Sequence, residues 1–504
     1  MILPDDTPES PAKIRPGLPG PSESVDEDFG APPPAYPGPA SSSRPADLEA
    51  QMGTQPVPDS HPERHRRERA PKRFLRALGI AVLIWVAIGL FARSAFMSGH
   101  WRNSPFPGGR IGDDHDRHHH GPAQPHPIDG KVERCVRASS LLQYHSSRAE
   151  SVVSFELPMS ADVLYIFGRG ALSRGSINFI PVEGEPPTSG VVDEMIKVDI
   201  TTTYEAKFAL DAVNFCLLER LPGQHGIGIL TPSEEDHDLD LLDFKIDVRF
   251  PLPRRRAHPH RVKSFETSLP LFQHNMRDLK GVVEFDSISL ASRNMPLLVD
   301  VNPQYLAAKE ATLSTSNAMI TGTYNVSRTL FLKTSNEVID ADVALVNPDF
   351  YIDSNKGFTN LTILNTNGAI DARLALLRQS SRSVGGNYDV VAHTDNARIS
   401  LPISTMRQAT ELLLDARTSN APASVELPLM YAGDVEARTT NADAEVDCDS
   451  DAEDPLMRGY PHVCKVSQKS SEWAKGFIGW SSARGVVSKV KVVSQNSPVK
   501  IISG

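Results

Sequence analysis

One asparagine-centred pattern recurs eight times in the second half of the chain, and it constrains the fold more than any other feature. The copies are centred on Asn294, Asn317, Asn336, Asn367, Asn396, Asn420, Asn441 and Asn496. Two residues before the asparagine stands Ser or Thr in seven of them: Ser292, Thr315, Thr334, Thr394, Thr418, Thr439 and Ser494, with Asn365 the exception. Four before it the residue is always apolar, as at Leu290, Leu332, Ile363 and Ala437. Three after it come Leu297, Ile320, Ile339, Ile370, Ile399, Ala423, Ala444 and Val499. Before the asparagine the apolar positions fall at even spacing, which is the period of a strand; after it they fall at odd spacing. The chain therefore turns a corner at each asparagine and begins a second strand facing the same interior.

The steps between copies are 19 to 31 residues except the last, which is 55. Steps of that size suit one coil of a β-solenoid, with longer gaps taken up by surface loops. Stacked coils would align the asparagines in a ladder of side-chain amides, with the Ser/Thr and the Asn turned inward. In "LKTSNEVIDA", residues 332–341, that leaves Glu337, Asp340 and the next outward residue, Asp342, to face solvent. The repeat is read as structural, spanning 281–504.

Upstream, residues 131–252 hold strand-like runs such as "DVLYIFGRG", "GSINFIPV" and "FKIDVRFPL", separated by Gly or Pro, with little helical periodicity. Residues 253–280 open on "PRRRAHPHR" and read as a basic linker, with dibasic processing as the alternative.

The first 130 residues are of another kind. Residues 1–73 are rich in Pro, Ser, Asp and Glu and too poor in apolar residues to offset the entropy of ordering, so a disordered arm is expected. Residues 74–97 form an apolar run whose uncharged centre, Ala77 to Ala92, would span about 24 Å as a helix. That is expected to be a transmembrane signal anchor. "RHRRERAPKR" precedes it, which places the N-terminus in the cytoplasm and the remainder in the lumen or outside the cell, at the endomembrane system or plasma membrane. Residues 98–130 read as a His/Pro/Gly-rich stalk; its histidines could hold a metal, but nothing in the spacing fixes a geometry.

All four cysteines, Cys135, Cys216, Cys448 and Cys464, and both N-glycosylation sequons, at Asn325 and Asn360, lie beyond the span. Four cysteines allow three pairings; Cys135 with Cys216 and Cys448 with Cys464 is favoured, and free buried thiols are the alternative. In the arm, Pro33-Pro34-Ala35-Tyr36 matches a WW-domain ligand, or is a chance match in a Pro-rich tail.

The net charge of −10 is spread over mixed-sign segments and argues against nucleic acid. No cofactor or metal is expected. Type II topology raises the question of a glycosyltransferase, whose Asp-x-Asp motif binds a metal. Asp236-His237-Asp238, Asp238-Leu239-Asp240, Asp340-Ala341-Asp342 and Asp447-Cys448-Asp449 all match, which shows how cheap the motif is. For a glycan hydrolase the first carboxylates to consider are Asp340 and Asp342 beside Asp371.

"TSNAMITG", "TSNEVIDA" and "NTNGAIDA" resemble the β-solenoid repeats of the putative-adhesin family of unknown function. The layout is also similar to that of uncharacterised fungal single-pass proteins. In those, a Pro-rich tail and an anchor precede segments like "LPMSADVLYIFGRGALSRGSINFI" and "NFCLLERLPGQHGIGILTP". The resemblance covers 131–504 and implies a fold and no catalytic residue; Ala423, Ala444 and the long last step depart from the pattern. The expectation is therefore an all-β region ending in a β-solenoid, behind one membrane span. Its role would be a non-enzymatic, adhesin-like scaffold offering a luminal face to glycan or protein ligands. A secretory-pathway carbohydrate-active enzyme is the alternative.

Overall fold

In a computed structural model the described residues are 124–504, apart from 139–141, 144–148, 183–194, 205–206, 233–241, 254–257, 278, 300–304, 349–356, 381–384 and 482–487. The expected arm, the span, the first part of the stalk, the Pro33-Pro34-Ala35-Tyr36 motif and the Asp236–Asp240 motifs lie outside them. Among the described residues no helix is long and apolar enough to cross a membrane.

The described chain is all-β, with one short α-helix, Lys207–Asp211, and one 3-10 turn, Pro127–Asp129. Its strands form two ladders that share one apolar core. Alternation explains the arrangement. In Ile339–Asn347, for example, Ile339, Ala341, Val343 and Leu345 are buried while Asp340, Asp342 and Ala344 are half-exposed.

The first ladder begins antiparallel, with Lys131–Arg137, Asn214–Glu219 and Gln224–Leu230 in order. It then turns parallel through Val163–Arg169, His260–Ser268, Val283–Ala291 and Leu306–Ser314. The C-terminal half of Ile320–Lys333, Thr359–Leu364, Gly386–His393 and Thr410–Arg417 continue it. The second ladder does the same: antiparallel from Leu142–Gln143 through Ala149–Pro158 and Met195–Tyr204 to Leu242–Phe250. It runs parallel from there through Arg174–Pro181, Leu271–Met276 and Leu297–Val299, and onward through the strands that follow each asparagine.

Residues 253–280 are not a linker. Strands His260–Ser268 and Leu271–Met276 sit in mid-ladder, one in each, so the pairing runs unbroken from the 131–252 region into the repeats. Sequence missed them because their corner, Ser268-Leu269-Pro270, carries no asparagine, while the basic residues before it looked like a boundary. The stalk boundary also moves. Asp129 is buried and paired with Arg169, and its carbonyl accepts a hydrogen bond from the Tyr165 hydroxyl, so residues 127–129 already belong to the fold.

The C-terminal end departs from sequence order. Thr410–Arg417 pairs with Ser488–Val493, which pairs in turn with Gly433–Arg438. In the second ladder Ala423–Leu427, Val499–Ser503 and Ala444–Cys448 follow the same order. The last strand pair in sequence is thus inserted between the two pairs before it. The 55-residue step explains why: it carries the hairpin His462–Ser470 and Trp473–Trp480, whose second strand closes Gly433–Arg438 in antiparallel fashion. That edge being taken, the final strand pair enters on the other side. The small residues that break the repeat follow from this. Val499 lies in register between Ala423 and Ala444, and Val492 between Ala416 and Ala437, so alternating small and large side chains fill the stack.

Candidate functional site

The corners show what the repeated residues do. Of the seven Ser/Thr two before the asparagine, six are buried and Ser292 is half-buried, and in all but Thr439 the hydroxyl donates to a carbonyl of the neighbouring corner. Thr334 reaches Ala318 O at 2.9 Å, Thr394 Gly368 O at 3.1 Å, Thr418 Ala397 O at 3.1 Å and Ser494 Ala421 O at 3.2 Å. The exception proves equivalent, because Asn365 Nδ2 donates to Glu337 O at 2.7 Å, the same position in the preceding corner. Thr439, in the last corner of the stack, donates instead to Ala442 O of its own turn.

The asparagines are not inside, contrary to the expectation from alternation. Asn317, Asn336, Asn420, Asn441 and Asn496 are exposed, because the chain leaves the strand phase one residue before them and bends. They still form one row: each Nδ2 donates to the Oδ1 of the preceding amide at 2.5–2.8 Å, through Asn294, Asn317, Asn336, Asn367, Asn396, Asn420, Asn496 and Asn441. The order follows the inserted strand pair. Backbone bonds repeat the design, with Ser335 and Asn336 N–H both donating to Ser316 O. The row closes a bend whose polar groups would otherwise stand unpaired.

Where Asn365 replaces threonine, Gly368 accompanies it. A Cβ on Gly368 would lie 2.0 Å from Glu337 O, the carbonyl that Asn365 holds. Gly368→Ala is therefore expected to cost about 2–3 kcal/mol by overpacking against backbone. Ala397→Gly, at the equivalent place in the next corner, should cost less than half as much; chemical denaturation of the two variants checks this.

On the outer face of the second ladder, Asp340 stands directly opposite Asp371. Both carboxylates are engaged: Arg373 contacts Asp342 and lies 3.6 Å from Asp340, and Arg398 Nη2 is 2.9 Å from Asp371. Two opposed carboxylates would repel, and the arginines offset that repulsion. The Asp447-Cys448-Asp449 match is likewise held in structure, with Cys448 bonded to Cys464 and Asp447 3.4 Å from Lys500. Cys135 is bonded to Cys216, its direct cross-strand neighbour.

A concave feature of the described surface was not visible in the sequence. A groove of about 570 Å³ is lined by outward-facing residues of neighbouring strands and their ends, Arg261, Asp286, Tyr305, Lys309, Asn325 and Gln379 among them. Its volume falls in the roughly 300–1,000 Å³ typical of small-ligand sites. Asp286 accepts from Arg261 Nε at 2.6 Å and from Lys309 Nζ at 3.3 Å. Partial burial works against its charge, but these two partners hold the carboxyl below its usual range. The alternation in "VEFDSISLA" could have flagged Glu284 and Asp286 as outward, but their partners come from separate strands and only register unites them.

The walls thus offer cations, a fixed carboxylate, free amides and an aromatic ring. That is chemistry for holding a polar ligand. The fold and groove together define an all-β protein of two ladders on one core with a polar outer face. No family model matches the chain, and no curated protein does. A solved structure of a putative cell adhesion protein from Clostridium sporogenes is similar at 7% identity, over 71% of this chain and 100% of that one, with a TM-score of 0.16. A score that low carries no inference about this chain.

Proposed function

We propose that the chain is a membrane-anchored β-solenoid that acts as an adhesin-like scaffold, presenting its outer faces to glycan or protein ligands on the luminal or extracellular side. The observation that supports the reading is the row of corners: one corner recurs eight times, its asparagine amides bond one to the next, and the strands beside each corner bury one face and turn a more polar one outward. Such an array spends its sequence on a long rigid surface. The apolar run at 74–97 with basic residues before it, and the two disulfides beyond it, support the topology.

The topology is tested on the full-length chain in membranes. Protease added from the cytosolic side should remove the arm and spare the region from residue 131 onward. A WW-domain probe should bind from that same side and lose binding in Tyr36→Ala. A glycosidase-sensitive mass shift should vanish in the Asn325→Gln/Asn360→Gln double variant. An unshifted C-terminal region open to cytosolic protease sinks the reading. The scaffold role is tested with a glycan array run beside nucleotide-sugar turnover; turnover lost in Asp238→Ala would replace it with an enzyme.

A further inference from the structure

The two sequons stand in different surroundings. Asn325 lies between buried Tyr324 and Val326, so its side chain points to the outer face, where it lines the groove. It is half-buried, and its amide makes no hydrogen bond among the described residues. Its cross-strand neighbours are Ala307 on one side and Ala344 on the other. Both are too small to fill the space beside it. Asn360 is likewise half-buried and without a side-chain hydrogen bond among the described residues, but it points outward between Thr329 and Asp389, away from the groove, so the groove and the alanines are what set Asn325 apart.

We propose that the groove seats the innermost sugars of an N-glycan on Asn325, so that this glycan packs against protein while one on Asn360 stands free. This rests on the luminal reading above. Attachment would precede closure of the sheet. The Asn325 amide nitrogen bonds to C1 of the first N-acetylglucosamine, the lipid-linked diphosphate leaves, and the amide gives up one proton. Folding then lays the sugar along the two alanines into the groove. An N-acetylhexosamine has one apolar ring face, hydroxyls and an acetamido group. The Tyr305 ring suits the first, while Lys309, Asp286 and Gln379 supply donors and acceptors for the others. A seated glycan covers the alanine-flanked stretch that only Asn325 of the two sequon asparagines has, and it supplies its half-buried amide with contacts that the described residues do not give it.

The test is native digestion with a peptide N-glycosidase, which cuts the bond between asparagine and the first sugar, followed by site-resolved mass spectrometry. The glycan on Asn325 should be released about tenfold more slowly than that on Asn360, because release awaits local opening. After denaturation the two rates should be equal. Tyr305→Ala, or Ala307→Glu as a second variant that crowds the seat, should raise native release at Asn325 to the Asn360 rate. Equal native rates in the unaltered chain, or a glycan on Asn360 alone, overturn the seat and leave the topology standing. A chain glycosylated at neither position overturns the luminal reading itself.

Discussion

Replacing Cys135 and Cys216 with alanine is expected to lower stability by about 4 kcal/mol, the largest loss of any double substitution considered. The bond closes a loop with a sequence separation of 81 residues, and cross-linking so long a loop removes much of the entropy of the unfolded chain. The same reasoning assigns about 3 kcal/mol to Cys448–Cys464, whose separation is 16. Position adds to the first effect. Lys131–Arg137 is an edge strand with six of its seven residues exposed, so it buries little and depends on the covalent tie. Without the tie, loss of that strand uncovers Asn214–Glu219, whose Phe215 and Leu218 are fully buried. Urea unfolding of the variant beside the parent, with and without reductant, measures the loss. A change below about 1 kcal/mol would mean that the unfolded chain is already constrained there.

Acidification is expected to remove on the order of 3 kcal/mol through one side chain, His274. In the strand pair before the first asparagine, the positions that in the next pair hold Leu290 and Leu297 hold Thr267 and His274, by register. His274 is fully buried; its Nε2 lies 2.9 Å from Thr267 Oγ1, and its Nδ1 lies 3.1 Å from Phe272 O. A neutral ring satisfies both contacts, with the proton on Nδ1 and the threonine hydroxyl donating to Nε2. Burial pushes its pKa down to about 4, against the opposing pull of the Phe272 carbonyl. Because the folded value lies below the unfolded value of about 6.5, the contribution is fully present above pH 6.5. It is lost as pH falls toward 4, at about 1.4 kcal/mol per pH unit. Unfolding free energies between pH 7 and 4 should therefore fall more steeply for the parent than for Thr267→Leu/His274→Leu, which restores the apolar pair. Parallel slopes would remove His274 from the account.

Much of the architecture was legible in the residues, and the corners show why. Alternation depends only on backbone geometry, so Ile339, Ala341, Val343 and Leu345 could be placed inside without knowing any neighbour. The threonines at 315, 334, 394 and 418 could be placed the same way, and all are buried. The asparagines could not, because strand phase ends one residue before them and the bend turns them outward. Nor could the groove be read, since Arg261, Asp286 and Lys309 lie on three different strands. Asp340 and Asp342 were placed on the outer face correctly, but only register revealed the arginines that engage them.

The eight asparagines, taken alone, determine that this chain turns the same corner again and again between strands of alternating phase. That follows from local rules, which repeat whenever the residues do. Which corner stacks on which was decided by tertiary structure. The hairpin strand Trp473–Trp480 occupies one edge of Gly433–Arg438, so Asn496 comes to rest between Asn420 and Asn441. A strand's edge can be paired only once, and which partner takes it depends on segments far apart in sequence.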